Sequence, residues 1–237
     1  MIKPPQITAR CHPALYERLP KPVAAKQGLP NWLRDMPSDV ASDTLGGASV
    51  RTVKQCPPFI DALSLGILIP LAADLTVKDG QISWDWNPPV ITDAPLTRAP
   101  IGLHVPEQTT GGPFPLGPGE IIVKFINFWA LEAPEGWNLL FTHPFGHPNL
   151  PFQTLTGLVT ADQFGLGYVH FPARWTNPGF TGCLAAGTPV AQVIAVPRAP
   201  QGVVVQPMNG DEIAQSKAIQ DALMATPGVY RKDFRRG

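Results

Sequence analysis

Residues 141–152 read FTHPFGHPNLPF and set His143 and His147 four positions apart. An imidazole titrates near neutral pH and can bind a metal through either ring nitrogen, so the pair raises acid–base and metal chemistry together. On a helix this spacing would put both rings on one face. Pro144 and Pro148 argue against a helix there. A loop could still bring the rings together, with His170 or His104 as a third group. No carboxylate or cysteine stands at ligand spacing, and the HxH and HExxH patterns are missing, so no metal and no cofactor are expected. His143, His147 and His170 are the candidate acid–base groups. Thr142 beside them and Arg174 further on are candidate ligand-binding side chains.

Other chemistries find less support. The chain has no GxSxG, no GxxxxGK[ST] and no GxGxxG. The glycine-rich stretch TTGGPFPLGPGE (109–120) reads as a loop, and its prolines remove donors that a phosphate nest needs. Cys11, Cys56 and Cys183 are far apart and form no CxxC, so neither a disulfide framework nor a zinc knuckle is indicated. Cys183 reads as a small apolar filler at the start of a strand. No apolar signal segment is visible, and a cytoplasmic protein is expected, or a virion component if the chain is phage-encoded.

Composition narrows the partners. Charged residues make up 15% of the 237, against about a quarter in typical soluble domains. Basic and acidic residues cancel, which argues against nucleic acid and acidic membranes as partners. Low surface charge instead suggests cover by other subunits.

The elements that must carry the histidines are mostly strands. The 29 prolines and 22 glycines punctuate many short apolar runs. Residues 1–50 read as an extended Pro-rich arm, with Trp32 and Leu33 as anchors. A β-barrel domain is expected over 51–200, and a helix with a basic tail over 201–237. KQCPPFIDALSLG (54–66) reads as a short helix stopped by Gly66, and Asp79-Gly80 as a hairpin turn. Strands are expected at 120–133, 136–142, 168–175 and 188–197. NGDEIAQSKAIQDALMATPG (209–228) carries helix start and stop signals, with Ile213, Ile219, Ala222 and Leu223 as an apolar stripe.

Residues 134–197 resemble the core of the dUTPase and dCTP-deaminase family. That family's Pro-x-Gly-x-Tyr strand and Arg-Ser-Gly motif correspond to PEGWNLLFTHPFG (134–146). Its Gly-Val-Ile-Asp-x-Asp-Tyr-x-Gly hairpin corresponds to GLVTADQFG (157–165). Asn177 follows, and AAGTPVAQVIAVP (185–197) stands where the family has a Gly-Asp-x-Ile-Ala-Gln strand. The resemblance implies a mainly β, dUTPase-like (β-clip or jelly-roll-like) barrel and a homo-oligomer, as a trimer, with a ligand at the subunit interface. It implies that Gly157 and Gly165 bracket a hairpin turn, that Asp162 closes it, and that Gln192 sits inside the last strand. The family's catalytic positions are not retained. Its phosphate-gripping Arg and Ser fall near His143 and Pro144, its water-activating Asp on Thr160, its stacking Tyr on Gln163 and its deaminase Glu on His170. Asp162 and Gln163 therefore join Thr142 and Arg174 as ligand-binding candidates. A second resemblance, at KQCPPFIDALSLGILIP (54–70), is to bacterial and phage proteins with no assigned activity.

Two functions follow. One is a divergent dUTPase-like protein binding a small nucleotide-like or polar ligand at a subunit interface. The other is a structural or assembly protein, phage-related, with no enzymatic activity. A histidine-dependent metal enzyme ranks behind both.

Overall fold

The computed structural model describes residues 5–94, 96–112, 121–199, 202–226 and 228–235. From position 113 the expected glycine-rich loop lies outside the described residues. The chain forms two compact units. Unit 1 comprises the residues up to Pro30 together with Leu63–Arg198, and unit 2 comprises Asn31–Ala62 together with the residues from Ala199 onward.

In chain order the first elements are β1 (Thr8–Arg10), α1 (Pro13–Tyr16), β2 (Val23–Ala24), α2 (Asn31–Asp35), β3 (Asp39–Ser42), β4 (Ala48–Arg51) and α3 (Pro57–Leu63). Next come β5 (Ile67–Pro70), β6 (Leu75–Lys78), β7 (Gln81–Ser83), β8 (Ile101–His104), β9 (Ile122–Phe125) and β10 (Ala130–Glu132). The rest are β11 (Trp137–Thr142), β12 (Phe152–Thr154), β13 (Gly157–Val159), β14 (Phe171–Trp175), β15 (Gly182–Leu184), β16 (Pro189–Pro197) and α4 (Gly210–Ala225). The protein is mainly β, with several sheets and a helix near its C-terminal end.

Unit 1 is built on a five-stranded sheet, β13-β11-β16-β5-β2, and a four-stranded sheet, β12-β14-β9-β8. All neighbours are antiparallel. One apolar core joins them: Leu139, Phe141 and Val193 from the first sheet cluster with Val123, Phe125, Phe152 and Phe171 from the second. The rings of Phe141 and Phe171 lie 5.4 Å apart, and those of Phe125 and Phe152 lie 4.6 Å apart. Aromatic pairs at such centroid separations contribute about 0.5–1.5 kcal/mol each beyond their burial. The three-stranded sheet β15-β6-β7 contains the expected hairpin. Lys78 pairs with Gln81, and Asp79 and Gly80 both take positive φ (52° and 73°), as a two-residue turn matching strand twist requires.

The strands close no barrel among the described residues. The run 120–133, expected as one long strand, is split between two sheets. It breaks at Asn127, whose Oδ1 accepts the Trp129 N–H (2.9 Å) and whose Nδ2 donates to the Trp129 carbonyl (2.7 Å). A side chain that takes both backbone groups of a neighbour replaces the ladder there. β9 therefore stays in the four-stranded sheet, while β10 leaves to pair with β1. The expected hairpin at 157–165 does not form either. β13 pairs with β11, and the next strand, β14, belongs to the other sheet.

The beginning of the expected arm is docked on unit 1. β1 pairs with β10, β2 adds an edge to the five-stranded sheet, and Leu15 and Leu19 are buried in the core. Pro13 sits in the first turn of α1, where its missing N–H costs little, and the His12 ring caps that turn by accepting the Ala14 N–H.

In unit 2, Leu33 is buried and the Trp32 ring packs on Phe59 at 6.3 Å. The β3–β4 hairpin turns through Gly46 and Gly47. α4 has the expected capping box, in which Asn209 Oδ1 accepts the Glu212 N–H and Glu212 accepts the Asn209 N–H. None of its residues is buried. Among the described residues no helix is long and apolar enough to cross a membrane.

Candidate functional site

The loop that follows β11 carries His143 and His147. His143 Nδ1 accepts the Thr154 N–H from β12 (3.2 Å), and Nε2 faces the His147 carbonyl at 3.4 Å. With Nδ1 accepting, Nε2 carries the proton and donates. The ring also lies edge-on to the buried Phe152 at 5.9 Å. Burial pushes its pKa down, against the bond to the His147 carbonyl, which favours the charged form. This imidazole is neutral, and both nitrogens are engaged. It could take a proton from a substrate only by giving up the Thr154 N–H.

His147 turns toward the N-terminal segment. Its pKa is lowered by burial first and by the neighbouring His143 second, while its hydrogen bond to the Gly28 backbone works the other way. The loop is thus tied to the chain's own first residues. Gly28 is close-packed here, since a Cβ would meet Leu68 Cδ1 at 2.5 Å. Gln192, fully buried in β16, fixes the loop from below: its Oε1 accepts the Phe145 N–H (2.9 Å) and its Nε2 donates to the Leu65 carbonyl (2.7 Å).

His170 is held apart from the pair. Its Nδ1 accepts the Asn127 N–H (3.2 Å), completing the turn that splits the apolar run. Burial lowers its pKa, and Lys124 adds to the effect. Among the described residues no interaction links it to His143 or His147, and no group of three His, Cys, Asp or Glu side chains could hold a metal. His104 bonds Gln108 Oε1 through Nδ1 (3.1 Å), and its buried Nε2 has no partner among the described residues.

The ligand-binding candidates are dispersed as well. Thr142 Oγ1 meets Thr156 Oγ1 at 3.5 Å. Gln163 is exposed. Arg174 lies within β14 and is engaged by neighbours. Asp162 closes no hairpin, contrary to expectation, and instead holds two partners distant in sequence. Its Oδ2 accepts the Gly136 N–H (3.0 Å), and its Oδ1 pairs with Arg198 (2.7 Å). The Gly136 bond is the main cause that depresses its pKa, with Arg198 adding to it. Arg198 is consumed in this lock.

The remaining expectations resolve simply. The aromatic residues of the expected strand at 120–133, Phe125, Phe128 and Trp129, are core side chains. Cys183, expected as apolar filler, is exposed, as is Cys56, while Cys11 is partly buried and its thiol is pushed up by burial. Sequence reasoning missed Asn127 and Thr154, both buried polar residues that organise the histidines. A lone Asn inside an apolar run was the available signal for the first. Compared with known proteins, no family model matches the chain, and no curated protein matches it in sequence.

Proposed function

We propose that the chain is a non-catalytic assembly protein, a dUTPase-like β scaffold that works by associating with further copies of itself. The observation that carries this reading is the uncovered state of α4. Its apolar Ile213, Leu223 and Met224 are exposed, and so are Val203, Val204 and Val205 before it. A 16-residue helix with no buried residue is marginal alone in water, because most helical stability comes from packing. A second copy offers the apolar cover that the described residues do not supply.

The histidine loop supports the same reading. Both nitrogens of His143 are engaged, and His147 is bonded to the Gly28 backbone. The three segments behind the dUTPase-like resemblance supply β11, β13 and β16, neighbours in one sheet. That supports the scaffold, while the positions that grip and activate a nucleotide in that family hold other residues.

Light scattering over a hundred-fold range of protein concentration tests assembly, and an assay for pyrophosphate or ammonia release from nucleoside triphosphates tests catalysis. We expect a stable oligomer, dissociated by Ile213→Asp with Met224→Asp, and no turnover. A monomer at every concentration, or turnover that His143→Ala abolishes, would overturn the reading.

A further inference from the structure

We propose that unit 2 carries a binding site for a small organic anion, a phosphate monoester on an apolar body. Within this unit lies a cleft of about 550 Å³, inside the range of roughly 300–1,000 Å³ that small-molecule sites occupy. Four cationic side chains line it: Arg51 at the end of β4, Lys54 in the following turn, and Arg231 and Arg235 near the chain's end. Among the described residues no carboxylate lines it. In sequence, unit 2 holds as many acidic as basic residues, so this one-signed lining is a local arrangement and not an overall excess.

The four cations are not equally committed. Arg235 is neutralised by a two-pronged contact with Asp61, at 2.9 and 2.5 Å. Lys54 Nζ donates to the Arg34 and Met36 carbonyls, at 2.8 and 2.9 Å. Those acceptors are uncharged, so the bonds fix the ammonium in place and leave its charge uncompensated. The side chains of Arg51 and Arg231 have no hydrogen bond or ion pair among the described residues. The Arg51 guanidinium stands against the turn at Gly228, where a Cβ would come within 3.9 Å of its Nη1. One anchored ammonium and two uncommitted guanidinium forks thus surround one space. A phosphate supplies the acceptors that such forks match, and charge-assisted bonds of this kind are the stronger class.

The other walls define the rest of the ligand. Pro57, Ile60, Leu223 and Val229 give an apolar side, and Tyr230 adds a ring. The site uses no residue of the histidine loop, and of the exposed α4 side chains behind the assembly reading it shares only Leu223.

The test is calorimetric titration of the full chain with phenyl phosphate, inorganic phosphate, benzoate and phenol. We expect saturable binding of one phenyl phosphate per chain, weaker binding of inorganic phosphate and of benzoate, and none of phenol. The double variant R51Q/R231Q should weaken phenyl phosphate at least ten-fold. Both side chains are exposed, and unchanged circular dichroism would show that the fold survives. K217Q, which removes a cation paired with Asp221 on α4, should leave binding unchanged. No saturable binding, equal binding by the double variant, or binding of phenol as tight as phenyl phosphate would overturn the site. Benzoate binding as tightly as phenyl phosphate would overturn the assignment to phosphate.

Discussion

Gln192 Nε2 donates to the Leu65 carbonyl at 2.7 Å, across 127 positions of sequence, from a side chain with no exposed surface. Its other end accepts the Phe145 N–H at 2.9 Å. One amide therefore holds the histidine loop to the segment entering β5. Gln192→Leu keeps the bulk but orphans both backbone groups. Each buried unpaired group costs about 1–3 kcal/mol, and the urea midpoint should fall accordingly. An unchanged midpoint would show that the loop is held by other means.

Gly66 precedes β5 with φ of 77°, and a Cβ there would sit 2.0 Å from the Val193 carbonyl oxygen. Gly66→Ala meets the left-handed penalty of about 1–2 kcal/mol. It must also push β5 away from β16. Thermal unfolding should show a larger loss than the same substitution at Gly46, which also has positive φ (63°) but open space around it.

The three histidines predict an acid-sensitive fold. His143, His147 and His170 all have folded pKa values depressed by burial below the ordinary 6.5. The unfolded chain then binds protons that the folded chain refuses, so stability is full above that value and falls as pH drops below it. The slope is at most about 1.4 kcal/mol per pH unit for each histidine. Urea midpoints measured between pH 8 and pH 5 should decline toward acid, and His143→Gln should flatten the decline. A flat profile in the parent chain would show that these rings titrate freely.

Asp162 titrates lower and for a different reason. The Gly136 N–H and Arg198 hold its carboxylate ionised below the usual 3.8. Its contribution is present above that value and is lost as pH falls through the depressed one. Asp162→Asn keeps an acceptor for Gly136 and loses the ion pair, so its melting temperature at pH 7 should lie between those of the parent and Asp162→Ala. Equal melting of Asn and Ala variants would assign the whole effect to charge.

Local chemistry was legible where it is settled by adjacent residues. Asp79-Gly80 announced its hairpin, and Asn209 with Glu212 announced the start of α4. Pro57 and Pro58 likewise open α3. The histidine loop was legible as a loop, but not in its role. Its partners are backbone groups of Thr154 and Gly28, and backbone groups leave no trace in residue type. Asn127 was hidden because apolar flanks read as one strand, while its effect depends on which of its bonds form. Leu15 and Leu19 were hidden by neighbouring prolines, which set chain direction without saying what the chain wraps.

The pairing of β1 with β10 and of β2 with β5 bears on the order in which the chain can mature. A ribosome makes residues 8–24 long before it makes Leu131, so β1 has no edge to join while the middle of the chain is still being translated. β1 can thus be seated only once Ala130–Glu132 are made, whereas β2 meets its partner as soon as Ile67 and Leu68 have emerged.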